Sequence, residues 1–153
     1  MTRDELIARY AAGPDDVAAA LEGISDEGLD RRPGAGEWTA REVVHHLADS
    51  EATSYIRLRR LVAEDAPAIV GYDQDLWAQR LHYDAPIEPP LAVFTAVRAA
   101  STQLLRSVDA AAFSRAGTHD EHGVYSVTTW LEIYADHAHD HADQIRKARR
   151  GAA

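Results

Sequence analysis

Cysteine does not occur in this sequence of 153 residues, and methionine occurs once. Without thiols the chain cannot build a disulfide framework, a thiolate zinc site or a cysteine nucleophile. Any bound metal must therefore be held by His, Asp or Glu. Long apolar runs are missing too. Nothing approaches the roughly 20 residues that span a bilayer, and the polar opening "MTRDELIARY" has no signal-peptide core. No membrane association is expected, and the cytoplasm is the expected compartment. Positive charge is scarce: the formal net charge is −9, and a nucleic-acid binder needs a clustered basic face to neutralise phosphates. The one dense basic run, "RKARRG", reads as cations in the last turn of a helix, where they complement its dipole.

What the chain does contain is the profile of an ordinary globular protein, 46% apolar and 27% charged. Its length suits a single domain, taken as residues 1–153. Periodicity and capping signals predict four helical segments and no large sheet, so the fold class is all-α. The first runs from "TRDELIARYAAG" through "DDVAAALEGI", with Gly13 a candidate kink and Pro14 suited to a first helical position. "SDEGLDRRPGAGEW" reads as a loop. Thr39 and Glu42 then form a capping-box pattern that opens a long helix, ended by Pro67. The stretch "GYDQDLWAQRLHYDAPIEPP" is a long connection with a helical turn around Trp77, and its Tyr72, Trp77 and Tyr83 could wall a pocket. A third helix starts after Pro89 and Pro90, with Leu91, Phe94, Val97, Ser101, Leu104, Leu105 and Val108 as its apolar stripe. "RAGTHDEHGVYS" is a second loop with a candidate hairpin about Gly123, and the fourth helix runs from Val127 to Arg150. Two long connections among four helices predict crossovers in the bundle.

The segment "YADHAHDHADQI", residues 134–145, holds three histidines and three aspartates. Helical residues advance about 100° each, so Trp130, Tyr134, His137, His141 and Ile145 form one inward stripe. His139 points the other way, toward solvent. A pair at i and i+4 can converge on one ion, although buried imidazoles can equally donate to a carbonyl or a carboxylate. In the second helix His46 lies at the flank of the buried face, while His45 lies about 160° from its centre and should face outward. Glu51 projects near the centre of that face. It is a candidate catalytic carboxylate or a group that orients a ligand, the alternative being a structural salt bridge to an arginine of a neighbouring helix. Asp136 and Asp140 are candidate acceptors for imidazole N–H groups. Asp49 reads as solvated, and His82, His119 and His122 read as loop residues at the surface. Trp38 and Trp130 read as packing residues.

"GEWTAREVVHHLADSE", "VAEDAP", "PIEPPL" and "YADHAHDHADQI", in that order, resemble the DinB-like superfamily and its YfiT-like branch of metal-dependent hydrolases and bacillithiol-type S-transferases. The resemblance runs from Arg9 to Arg146. It implies a DinB-type four-helix bundle with long crossover connections, and a zinc or nickel ion held by His46, His137 and His141. It also implies transfer of a small thiol of the bacillithiol, mycothiol or glutathione type to an electrophilic substrate. One departure falls at Glu51, where sequences of that branch often carry histidine. Hydrolysis with Glu51 as base and a non-catalytic metal-binding role in stress response remain open at this point. A small-molecule substrate is the expected partner, and a homodimer the expected assembly.

Overall fold

A computed structural model describes residues 1–151 and contains six helices. Four are long: α1 (Arg3–Leu21), α3 (Ala40–Ala63), α5 (Glu88–Ser107) and α6 (Val127–Arg150). Two are short and lie in connections that read as loops in the sequence: α2 (Asp26–Asp30) and α4 (Gln74–Arg80), the latter around Trp77. The Thr39–Glu42 capping box opens α3 as expected. Helix α5 starts one residue before Pro89, with its prolines in the first turn, where a missing N–H costs nothing. Among the described residues no helix is long and apolar enough to cross a membrane.

Residues 68–69 and 116–126 contribute a small three-stranded sheet. The hairpin β2 (Ala116–His119) and β3 (Gly123–Ser126) turns at Gly123, whose φ of 72° favours glycine. Strand β1 (Ala68–Ile69) joins β2 in parallel, pairing Ala68 with Thr118 and Ile69 with His119.

Side-chain pairs give the direction of each helix. Arg146 bonds Asp16 and Arg149 bonds the Ala20 carbonyl, so α1 and α6 run parallel. His137 meets Glu51 and Trp130 meets the Ser54 carbonyl, so α3 and α6 run antiparallel. Arg98 meets Glu51 and Arg59 meets Ser101, so α3 and α5 run parallel. Each long helix packs on two others, in the cyclic order α1, α6, α3, α5. Thus α1 and α3 face each other diagonally, as do α5 and α6. The chain goes up, down, down, up, and the α3–α5 connection must travel the length of the bundle. It does so along the outside of α3. Val70 O accepts from Arg57, the Tyr83 hydroxyl donates to Asp49, and Ala85 O contacts both His45 and Arg41.

Helix α1 runs on through Gly13 as expected, but Pro14 stands in its interior and not at a first helical position. Proline has no N–H for the carbonyl four residues earlier. That carbonyl, Tyr10 O, accepts instead from Arg98 Nη1 at 2.7 Å. Gly13 lets the guanidinium in: a Cβ there would stand 2.7 Å from Ala138 Cβ and 3.0 Å from Arg98 Nη1.

Arg98 and Glu51 are both buried and join through Nη2 and Oε1 at 2.6 Å. Nη2 also donates to Tyr134 O, and the guanidinium carbon lies 3.9 Å from the Tyr10 ring centroid. This polar layer divides the core in two. On one side lie Tyr10, Leu58, Leu105 and Trp130; on the other lie Val17, Leu47, Phe94 and Ile145. Replacing Arg98 by Met strands a buried carboxylate and a helix carbonyl, and should destabilise the fold by about 3–5 kcal/mol. Gly13→Ala should cost about 1–3 kcal/mol through overpacking. Urea unfolding measures both; a loss for Arg98→Met below that for Gly13→Ala would contradict this account of the core.

Candidate metal centre

His46 from α3 and His137 and His141 from α6 meet beside the polar layer. One ring nitrogen of each lies within 4.8 Å of the others, a grouping that could hold a metal ion. The His46 ring is 4.7 Å from that of His141 and 5.7 Å from that of His137. The antiparallel run of α3 against α6 produces this meeting. His46 is level with His141, and one turn further Ser50 is level with His137, with 3.5 Å between Ser50 Oγ and His137 Nε2.

Neighbours orient two of the three rings. His137 Nδ1 donates to Glu51 Oε1 at 3.1 Å, and His141 Nδ1 donates to the Gln144 side-chain oxygen at 2.7 Å. Each bond places the proton on Nδ1 and leaves the Nε2 lone pair available. His46 Nδ1 is buried and has no hydrogen-bond partner, and an unsatisfied buried nitrogen is costly unless something else occupies it. Burial, then the neighbouring imidazoles, lowers His46 from the ordinary 6.5 to about 3. Burial, then His137, lowers His141 to about 4, against the opposing pull of Gln144 and Glu51. Both rings are therefore neutral at pH 7, the form in which imidazole binds a metal. Neutral, convergent nitrogen donors with one unpartnered atom fit a divalent transition-metal ion.

Glu51 reaches this centre only through His137. Its side chain is fully buried, and Oε1 is shared between Arg98 and His137. Burial would raise the carboxyl, but the Arg98 guanidinium and the His137 N–H outweigh burial and hold it below the usual carboxylate range. The salt bridge to a neighbouring helix and the contact with a candidate ligand are thus one and the same arrangement.

Several sequence expectations are corrected here. His139 is not solvated: its nitrogens meet Asp16 at 2.7 Å and Arg9 O at 2.9 Å, because α1 packs over that face of α6. His45 does not face open solvent but bonds Ala85 O and stacks on Tyr83, since the long connection covers it. Asp49, expected to be free, accepts from the Tyr83 hydroxyl at 2.7 Å. Asp136 pairs with Arg9, and Asp140 is exposed, so Glu51 and Gln144 are the acceptors in their place. Trp38 packs its ring 4.7 Å from that of His46, closing one side of the centre.

His119 is buried and not a surface loop residue. With Glu121 and His122 it forms a second grouping whose ligand atoms lie close together. Its Nδ1 lone pair, however, accepts the Glu121 amide at 3.0 Å, so the ring serves the hairpin. Arg98, Gln144, Ser50 and Tyr134 were not singled out from sequence as site residues. For Arg98 a signal existed: it falls on the buried stripe of Phe94, Ser101 and Leu105.

A four-helix bundle of up-down-down-up order, with three histidines gathered between α3 and α6, defines a class. The DinB superfamily model matches residues 9–145, and the chain belongs to that superfamily. Among its relatives is the protein OB0782 of Oceanobacillus iheyensis, 37% identical over 122 residues, or 80% of this chain and 71% of the relative. YfiT of Bacillus subtilis is 33% identical, with 97% of this chain and 84% of YfiT aligned. Both carry the name "putative metal-dependent hydrolase". The solved structure of YfiT, described as a four-helix bundle of unusual topology, superposes with a TM-score of 0.89 at 32% identity, covering 97% of this chain and 86% of YfiT.

The lowered imidazoles fix a pH dependence for the metal-free protein. An unfolded histidine takes up a proton near 6.5, whereas folded His46 and His141 do so only near 3 and 4. Their contribution to stability is complete above pH 6.5 and is lost as pH falls toward those lower values. Melting temperatures of metal-free protein should therefore drop through this window, and His141→Leu should flatten the slope. An unchanged slope in the variant would show that the ring is not held neutral.

Proposed function

We propose that this chain is a metal-dependent enzyme whose divalent ion, zinc or nickel, is held by His46, His137 and His141. Its proposed reaction is transfer of a low-molecular-weight thiol, of the mycothiol, bacillithiol or glutathione type, to an electrophilic substrate. The observation that carries the reading is the convergence of three histidine rings, with His46 Nδ1 buried and unpartnered. When bound, such an ion supplies the Lewis acidity that favours a thiolate at neutral pH.

The protein's own residues supply position and shielding. Glu51, held by Arg98, aims His137, and Gln144 aims His141. Trp38 and the outward connection restrict water on the α3 side. Glu51 acts here as a positioning residue: Oε1 is engaged by Arg98 and His137, and Oε2, though it has no partner, is buried away from an incoming water. That favours a reaction whose nucleophile needs no carboxylate base. Hydrolysis is the second reading, supported by the names of the relatives.

Elemental analysis should find about one divalent ion per chain, and His137→Ala with His141→Ala should abolish it while circular dichroism stays helical. Retained metal in that double variant would remove the assignment. Glu51→Gln should weaken metal affinity about 10- to 100-fold in chelator competition. Metal-loaded protein is then incubated with 1-chloro-2,4-dinitrobenzene and each of the three thiols in turn. Metal-dependent release of chloride with formation of the carbon–sulfur bond is the expected outcome. Ester cleavage in place of conjugation would select the hydrolase reading.

A further inference from the structure

Arg57 lies seven residues beyond Ser50 on α3, two helical turns or about 10.5 Å along the axis, on the stripe that carries His46 and Ser50. It is half-buried, yet among the described residues no carboxylate pairs with it. Its guanidinium donates from Nη2 to Val70 O at 2.8 Å and from Nη1 to the Tyr134 hydroxyl at 3.5 Å, a long contact that leaves donor capacity unused. Eight of the chain's fifteen arginines pair with a carboxylate, and Arg57 is among the seven that do not. The residues around it are hydroxyl-bearing and not acidic. Tyr134 is buried, and its phenol lies between Arg57 and Ser50. The Tyr72 hydroxyl comes in from the long connection beside Ser50; it is buried and has no hydrogen-bond partner. Ser50 Oγ is in turn 3.5 Å from His137 Nε2. A row of donors thus leads from the histidine centre to an uncompensated cation.

We infer that Arg57, Tyr134, Tyr72 and Ser50 form an anion subsite that receives the carboxylate of a substrate whose reacting end lies at the three histidines. The subsite deepens the proposed function and rests on the histidine centre being the place of reaction. A carboxylate is the fitting class of group: a planar acceptor pair matches a guanidinium fork, and further lone pairs can take the two phenols. With no carboxylate side chain already there, the substrate supplies the missing charge. The two-turn separation, shortened by the reach of the arginine side chain, suits a ligand with a spacer of several bonds between its reacting atom and its carboxylate. Beyond Arg57 the surface continues as a groove of about 430 Å³ lined by Ile56, Ile69, Val70 and Trp77. An apolar extension of the substrate would lie there.

The test uses 3-mercaptopropionate and its neutral amide, 3-mercaptopropionamide, titrated into cobalt-loaded full-length protein, with the thiolate-to-cobalt absorption band as readout. The acid should bind about tenfold more tightly than the amide, as one charge-assisted contact warrants. In Arg57→Gln, which keeps a donor for Val70 O, that preference should collapse to within about twofold. In Tyr134→Phe it should fall part of the way. Equal binding of acid and amide by the wild type, or an undiminished preference in Arg57→Gln, overturns the subsite. If neither thiol produces a band, the reading of the histidine centre fails, and a second measurement still decides the subsite. Metal-free protein is titrated with butyrate and with butyramide while the side-chain N–H resonances of arginine are followed. A resonance that moves with butyrate alone and is missing from Arg57→Gln supports the subsite, and no such resonance overturns it.

Discussion

A single buried ion pair organises this molecule. Arg98 from α5 touches every other long helix: the Tyr10 carbonyl and ring of α1, the Glu51 carboxylate of α3 and the Tyr134 carbonyl of α6. Desolvating a guanidinium and a carboxylate is expensive, and their attraction offsets more of that cost as more of the remaining donors and acceptors find partners. Pro14 and Glu51 supply part of that set, while Arg98 Nε and Glu51 Oε2 stay buried without a partner. Pro14 frees a helix carbonyl by lacking an N–H, and Glu51 splits its Oε1 between Arg98 and His137. The pair fixes the relative height of four helices, because sliding any one by a turn would break a directional contact that apolar packing alone would forgive.

The histidine centre inherits its geometry from that registration. His137 is aimed by Glu51, Glu51 is held by Arg98, and Arg98 is admitted by Gly13. A backbone position on α1 therefore bears on the orientation of an imidazole on α6. The centre sits at the edge of the polar layer, where apolar packing excludes water from His46 while His137 keeps partial exposure, with 18% of its side chain accessible. Neutral rings and limited access are the conditions under which nitrogen donors favour an ion over protons.

Much of this was legible in the sequence. The Thr39–Glu42 cap, the spacing of His137 and His141 and the inward flank of His46 depend on local rules, namely capping chemistry and a period of 3.6 residues. The errors concern what lies over a helix. His139 and His45 were placed on outer faces by angle alone, and the angle was sound, but α1 covers one and the 80s segment of the connection covers the other. A single helix reports which of its faces is polar; it does not report whether a neighbour satisfies that face. Pro14 was misread for a related reason. Its effect on α1 depends on a guanidinium more than eighty residues away, which no local pattern announces.

The order up-down-down-up has a consequence for how the chain acquires its structure. Helices α1 and α6 are neighbours and run parallel, with Asp16 bonded to Arg146 and Ala20 to Arg149. Helix α1, made before α6, therefore waits for it before the face that carries Asp16 is covered. Contacts of such sequence separation slow folding, since loop closure must precede the interactions that reward it. During synthesis α1, α3 and α5 can associate early. The Glu51 carboxylate and the Arg98 guanidinium then lack the Tyr134 carbonyl and His137 until α6 arrives. Completion of the histidine cluster and completion of the fold are the same late event.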